Sequence, residues 1–176
     1  MKIYDPKKIL VPVDFSELSS AVIEAAVEIG EIRNAEVNVL HVADVPHPPS
    51  YLGEVYTPYG EGYGPSTSFP DKLREDTRAR LENQLEGMAR KVSMKAKVKT
   101  TLLWGNPVKA IVQVAESGNF DLIVMATHGR KGVSRLFIGS VTEEVIRRAP
   151  CPVFVIRAKV SEEPVEASTL EGAEVS

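Results

Sequence analysis

The chain has 176 residues, 43% of them hydrophobic and 26% charged, with a net charge of −3 at pH 7. That is the size and mix of one globular domain with its own core, and no apolar run reaches the length of a membrane span. The chain lacks the basic footprint of a nucleic-acid binder, and its single cysteine, Cys151, excludes an internal disulfide and any cysteine-clustered metal site.

The opening residues, Met1-Lys-Ile-Tyr-Asp-Pro6, have no apolar stretch of the kind that starts a signal peptide, so a cytoplasmic location is expected. Lys8 to Asp14 is a short apolar run ending in an acid, which predicts a first strand. Ser16 is placed to cap the helix that follows, where Ala21, Val22, Ala25, Ala26, Ile29 and Ile32 keep helical spacing. Ala35 to Val42 alternates and then turns apolar, as a second strand would. Pro46 to Pro70 then breaks every period. It holds half of the prolines, four of the five tyrosines and four glycines. An insertion of this length is either an unstructured loop or a lid or partner-binding segment, and the tyrosines favour contact.

Leu73, Thr77, Leu81, Leu85, Met88 and Val92 form a helical stripe of core type. Ala96 to Trp104 predicts a third strand. Asn106-Pro107 supplies a helix cap followed by proline at the first helical position, with Val108, Ile111, Val112 and Ala115 expected to face inward. Leu122 to Ala126 is a fourth strand, Val141 to Ala149 a helix, and Val153 to Ile156 a fifth strand. From Ser161 onward there are five glutamates and no Lys or Arg, so the preceding residues carry a net +2. The expected organisation is a domain over 1–158 and an acidic, disordered tail over 159–176.

Strands alternating with helices predict an α/β fold, a parallel sheet with helices on both faces and right-handed crossovers. In such sheets ligands sit at the carboxyl ends of strands, where strand order reverses. Asp14 ends the first strand, and Ala126-Thr-His-Gly129 follows the fourth, so these groups are expected to meet.

The chemistry there suits a phosphate. Gly129 and Gly139 allow close backbone approach, and the helix start after Gly139 offers unpaired N–H groups and a positive dipole end. Ser140 and Thr142 add hydroxyls, and Arg130, Lys131 and Arg135 could screen charge. Ser140-Val-Thr-Glu143 also reads as a capping box, which would explain Ser140 without any ligand. Asp14 has three open roles: bonding ribose hydroxyls, holding Mg²⁺ through water, or accepting bonds in its own turn. His128 reads as a hydrogen-bonding residue, His41 as a structural residue of its strand, His47 as solvated, and Cys151 as a small buried residue. No dinucleotide-binding, P-loop or nucleophile-elbow motif is present, and no residue stands out as a base or nucleophile.

On these residues the chain resembles the universal stress protein family. The nucleotide-binding members carry Gly-x-x-Gly, nine residues, then Gly-Ser or Gly-Thr. Here the frame is Ala126-Thr-His-Gly129, nine residues, Gly139-Ser140. The opening Val11-Pro-Val-Asp-Phe-Ser16 and the closing Ala149-Pro-Cys-Pro-Val-Phe-Val155 also resemble family hallmarks, so the likeness covers Lys8 to Arg157. One position departs: Ala126 stands where the motif has glycine, and its methyl could crowd a phosphate or ribose. The resemblance implies a single-domain, Rossmann-like sheet of five parallel strands in the order 3-2-1-4-5. It implies ATP, with Mg²⁺ held by Asp14, bound by Pro12, Val13, Asp14, Val42, Met125, Ala126, Gly129, Gly139, Ser140, Val141 and Thr142. It also implies a homodimer through Val153–Ile156. The expected role is an ATP-binding stress-response or regulatory protein whose nucleotide state modulates an unknown protein partner. The alternatives are a slow Mg²⁺-dependent ATP hydrolase and a nucleotide-free interaction module. Neither a nucleic acid nor a membrane is an expected partner.

Overall fold

The computed structural model describes residues 4–44, 71–92, 97–127 and 138–157. Within them strands and helices alternate: β1 (Lys8–Val13), α1 (Leu18–Arg33), β2 (Glu36–Ala43), α2 (Asp71–Val92), β3 (Lys97–Trp104), α3 (Pro107–Ser117), β4 (Leu122–Ala126), α4 (Ser140–Arg148) and β5 (Val153–Ile156). The strands form one parallel sheet in the order β3-β2-β1-β4-β5. This is the α/β architecture that the alternating pattern and the family resemblance imply. The Pro46–Pro70 insertion and the 159–176 tail lie outside the described residues.

Strand alternation sorts the core in two. Ile9, Val11 and Val13 join Val37, Val39, Leu122 and Val124 beneath α1 and α2, where Val22, Ile23, Ala26 and Leu85 pack on them. Leu10, Leu40, Ile123 and Met125 point the other way, onto Ile111 and Ala115 of α3 and Val145 of α4. Successive strand residues face opposite sides, so neighbours such as Ile9 and Leu10 serve different cores. Both faces are covered, which is why the central strands read as continuous apolar runs. Full burial of each such side chain stabilises the fold by roughly 1.5–3 kcal/mol.

Three helices show in detail which of their apolar residues the sheet buries. In α1 the buried residues are Ser19, Val22, Ile23, Ala26, Val27 and Gly30, whereas Ile32 is 78% exposed. Apolar residues occur on more than one face of α1, and packing on the sheet selects the face through 19, 22, 26 and 30. In α3 the cap forms as expected: the Asn106 side chain accepts the Lys109 N–H at 3.0 Å, with Pro107 opening the helix. Ile111 and Ala115 are buried, but Val114 rather than Val112 joins Val108 at the edge of that core. In α2, Leu85 and Ala89 are buried while Thr77 and Leu81 are partly exposed; the side chain of Leu73 lies outside the described residues.

Candidate functional site

The chain moves outward from β1 through β2 to β3, then returns past β1 to begin β4. β1 pairs with β2 over six residues, from Lys8 opposite Glu36 to Val13 opposite His41. Its pairing with β4 covers only Ile9 opposite Leu122 and Leu10 opposite Ile123. Beyond those residues the two strands part, and their carboxyl ends flank a notch at the reversal of strand order. β2 continues for two residues after its last pair with β1, which places Val42 and Ala43 beyond the tip of β1. Pro12, Val13, Asp14, Val42, Met125 and Ala126 therefore stand together at the ends of three adjacent strands.

One lip of the notch is the β1–α1 turn. Asp14 Oδ1 accepts the Ser16 N–H at 3.1 Å and the Ser19 hydroxyl at 3.4 Å, so Asp14 does act as the acceptor of its own turn. Phe15 sits in the left-handed region, at φ 61°. That conformation costs a bulky residue about 1–3 kcal/mol and needs support from its surroundings. The expected Ser16 cap does not form. Glu17 is the residue before the helix and makes no side-chain cap bond, while the Ser16 carbonyl accepts the Ser19 N–H at 3.0 Å. The Ser16 hydroxyl is buried with no partner among the described residues. The Asp14 carboxylate takes the acceptor role at this end, as a charged oxygen competes well for backbone N–H groups.

The other lip is the amino end of α4, which is tied to the end of β4. The Gly139 N–H donates to the Thr127 carbonyl at 2.6 Å, and the Thr142 hydroxyl donates to the Ala126 carbonyl at 2.8 Å. The capping box is not made. Gly139, not Ser140, is the cap, because its carbonyl receives the Glu143 N–H at 2.9 Å and starts the helix one residue earlier. Ser140 is then the first helical residue and exposed, and Glu143 pairs with Arg147 at 2.8 Å instead. Two groups expected to face a phosphate, the Gly139 N–H and the Thr142 hydroxyl, are thus engaged with β4. The N–H groups of Ser140, Val141 and Thr142 belong to the first turn, which no intrahelical carbonyl can reach, and carry the positive end of the helix dipole.

The Ala126 methyl packs at the margin of the α1/α2 core, whereas α4 packs on the opposite face of the sheet. It is therefore directed away from the start of α4, where the phosphate that it was expected to crowd would sit. Thr127 escaped notice in the sequence. It is 2% exposed, and its N–H donates to the Ile156 carbonyl at 2.9 Å while its carbonyl holds Gly139. The signal for it was a short polar residue directly after an all-apolar strand. His41, read as a structural residue, is buried with Nδ1 2.7 Å from the Val13 carbonyl. His47, His128, Gly129, Arg130, Lys131 and Arg135 lie outside the described residues. Cys151 is partly buried; burial first, and the Asp121 carboxylate second, push its thiol pKa up, which suits an unreactive side chain.

A separate apolar groove of about 310 Å³ lies at the amino ends of β1 and β4, lined by residues that include Tyr4, Pro6, Ile32, Leu122 and Phe154. It is at the opposite end of the strands from the notch. Among the described residues there is no group of three or more His, Cys, Asp or Glu that could hold a metal, and no helix is long and apolar enough to cross a membrane.

Residues 6–157 match the universal stress protein family. A universal stress protein of Methanocaldococcus jannaschii is 34% identical over 151 residues, covering 86% of this chain and 82% of its own. A second from that organism is 30% identical over 159 residues, covering 88% of this chain and 97% of its own. Its solved structure gives a TM-score of 0.68 over 90% of this chain and 100% of that one, at 29% identity. Two more remote structures share the fold, covering 86% and 85% of this chain and 97% and 96% of their own. One is a universal stress protein in complex with cAMP (19% identity, TM-score 0.60), the other that of Archaeoglobus fulgidus in complex with dAMP (22% identity, TM-score 0.54). A match that spans the whole sheet, on the strand order and notch just described, places this chain in the universal stress protein family.

Proposed function

We propose that this chain binds ATP with Mg²⁺ in the notch between β1 and β4, and serves as a cytoplasmic regulatory protein of the stress response. The observation that carries this reading is the early parting of β1 and β4, with Asp14 on one lip and the amino end of α4 fastened to the other. The donor set suits the ligand. First-turn N–H groups of Ser140, Val141 and Thr142 favour phosphate oxygens, and the family motif assigns the same role to Gly129. Asp14 suits ribose hydroxyls or a phosphate-bound Mg²⁺, whose other ligands would be water and phosphate oxygens. Val42 offers its backbone to an adenine, and Pro12, Val13, Met125 and Ala126 line the space. The cAMP and dAMP complexes support an adenine nucleotide as the class, since the same fold holds one in each of those proteins.

The working form is a homodimer through β5. Among the described residues this strand is a sheet edge, and Phe154 on it is 49% exposed. Nucleotide state would alter which protein partner the dimer meets. Bound Mg²⁺ would polarise a phosphoryl group; among the described residues none is positioned as a base, and any hydrolysis is proposed to be slow.

One observation favours a second reading, a nucleotide-free interaction module: the Gly139 N–H and Thr142 hydroxyl are already satisfied by β4 carbonyls. Mass spectrometry of the small molecules released on denaturing the purified protein separates the two. An adenine nucleotide near one per chain is the expected result. Its absence, together with no uptake from millimolar ATP and Mg²⁺, favours the module.

A further inference from the structure

We infer that His41 is a positioning residue for Asp14: from β2 it grips the residues on either side of Asp14 and so fixes the turn that presents the carboxylate. That the carboxylate serves a nucleotide rests on the function proposed above; that His41 holds its turn does not.

His41 stands opposite Val13 in the β1–β2 register and is only 6% exposed. Its strand neighbours Val39 and Leu40 are fully buried and apolar. An imidazole in such a run is unfavourable unless its polar atoms are bonded, and an aliphatic side chain would satisfy the core alone. Nδ1 lies 2.7 Å from the Val13 carbonyl. A carbonyl only accepts, so Nδ1 carries the proton and donates it. The same ring lies against Phe15, with centroids 4.1 Å apart and planes at 41°. One side chain from β2 thus holds the residue before Asp14 by a hydrogen bond and the residue after it by ring contact.

The turn needs that hold. Phe15 occupies the left-handed region without being glycine, a conformation that lasts only where the surroundings over-determine it. Asp14 contributes its own bonds, to the Ser16 N–H and the Ser19 hydroxyl, but these are local and could follow the turn if it relaxed. The contacts of His41 come from another strand and fix the turn to the sheet. The carboxylate is thereby set relative to β4 and α4 as well as to its own loop.

The test is amide hydrogen exchange of the nucleotide-free protein, paired with ATP·Mg²⁺ titration. His41→Phe keeps an aromatic ring against Phe15 but cannot donate to Val13. It is expected to speed exchange of the Ser16 N–H at least about tenfold relative to the Ala115 N–H in α3, and to weaken ATP by a similar factor. His41→Asn puts an amide nitrogen close to the place of Nδ1 and is expected to bring both readings back to within about threefold of wild type. A role in stability alone would move Ser16 and Ala115 together. That result, or an Asn variant no better than Phe, overturns the inference. If the wild type takes up no nucleotide the ligand reading fails, and the exchange ratio still decides the role of His41.

Discussion

Ala126 occupies the position where the family motif has glycine, and its methyl lies with Phe15 and Ile156 at the edge of the α1/α2 core. The helix that offers N–H groups to a phosphate packs on the other face. Ala126→Gly is therefore expected to leave ATP affinity within about threefold, or ~0.6 kcal/mol, in a titration with a fluorescent ATP analogue. The same change should lower stability in urea by about 0.4–1 kcal/mol, because the unfolded chain gains freedom. A tenfold gain in affinity would mean that the methyl does obstruct the site. Asp14 was legible as a strand-ending acid, and its turn role was one of three open choices. That it, and not Ser16, would take the acceptor role was not legible. The choice depends on the left-handed Phe15, which no side-chain preference for turns foresees.

At the scale of elements, the joint between β4 and α4 depends on two short bonds, and one of them is a side chain. Thr142 is 4% exposed and its hydroxyl is tied to the Ala126 carbonyl. Thr142→Val keeps the volume, removes the donor and leaves a carbonyl short of a partner. It is expected to cost about 1–2 kcal/mol, read as a lower denaturant midpoint with an unchanged slope. No change in midpoint would mean that the Thr142 hydroxyl does not hold the joint. The α3 cap was legible because its chemistry is local: Asn106, Pro107 and the N–H of Lys109 lie within four residues. The capping box at Ser140 has equally good local spacing but was misread. A tertiary bond from Gly139 to Thr127 shifts the helix start, and no local pattern reports such a bond. Which face of α1 would be buried was not legible for the same reason, since the sheet selects among several apolar faces.

For the molecule as a whole, alternation of strands and helices made the parallel sheet legible, and the resemblance supplied its order. The place of the notch followed from topology. What topology cannot give is where β1 and β4 stop pairing, which depends on side-chain packing along each strand. The β5 edge raises the question of assembly. Phe154→Glu puts a charge on a half-exposed edge position where two copies would meet, and charge on an edge opposes strand pairing. Sedimentation is expected to find the wild type dimeric and this variant monomeric at micromolar concentration. A variant that stays dimeric would place the interface elsewhere.

In the proposed function, main-chain groups at the start of α4 hold the phosphates of a nucleotide in the notch. Titration calorimetry of ATP·Mg²⁺ against the wild type and Gly139→Val tests it most directly. Gly139 is the extended cap residue, 2.6 Å from the Thr127 carbonyl through its N–H, and a branched side chain there would block close backbone approach. Saturable binding by the wild type is expected, with at least about tenfold weaker binding by the variant, or ~1.4 kcal/mol. Equal affinity in the two proteins, or no binding by either, would contradict it.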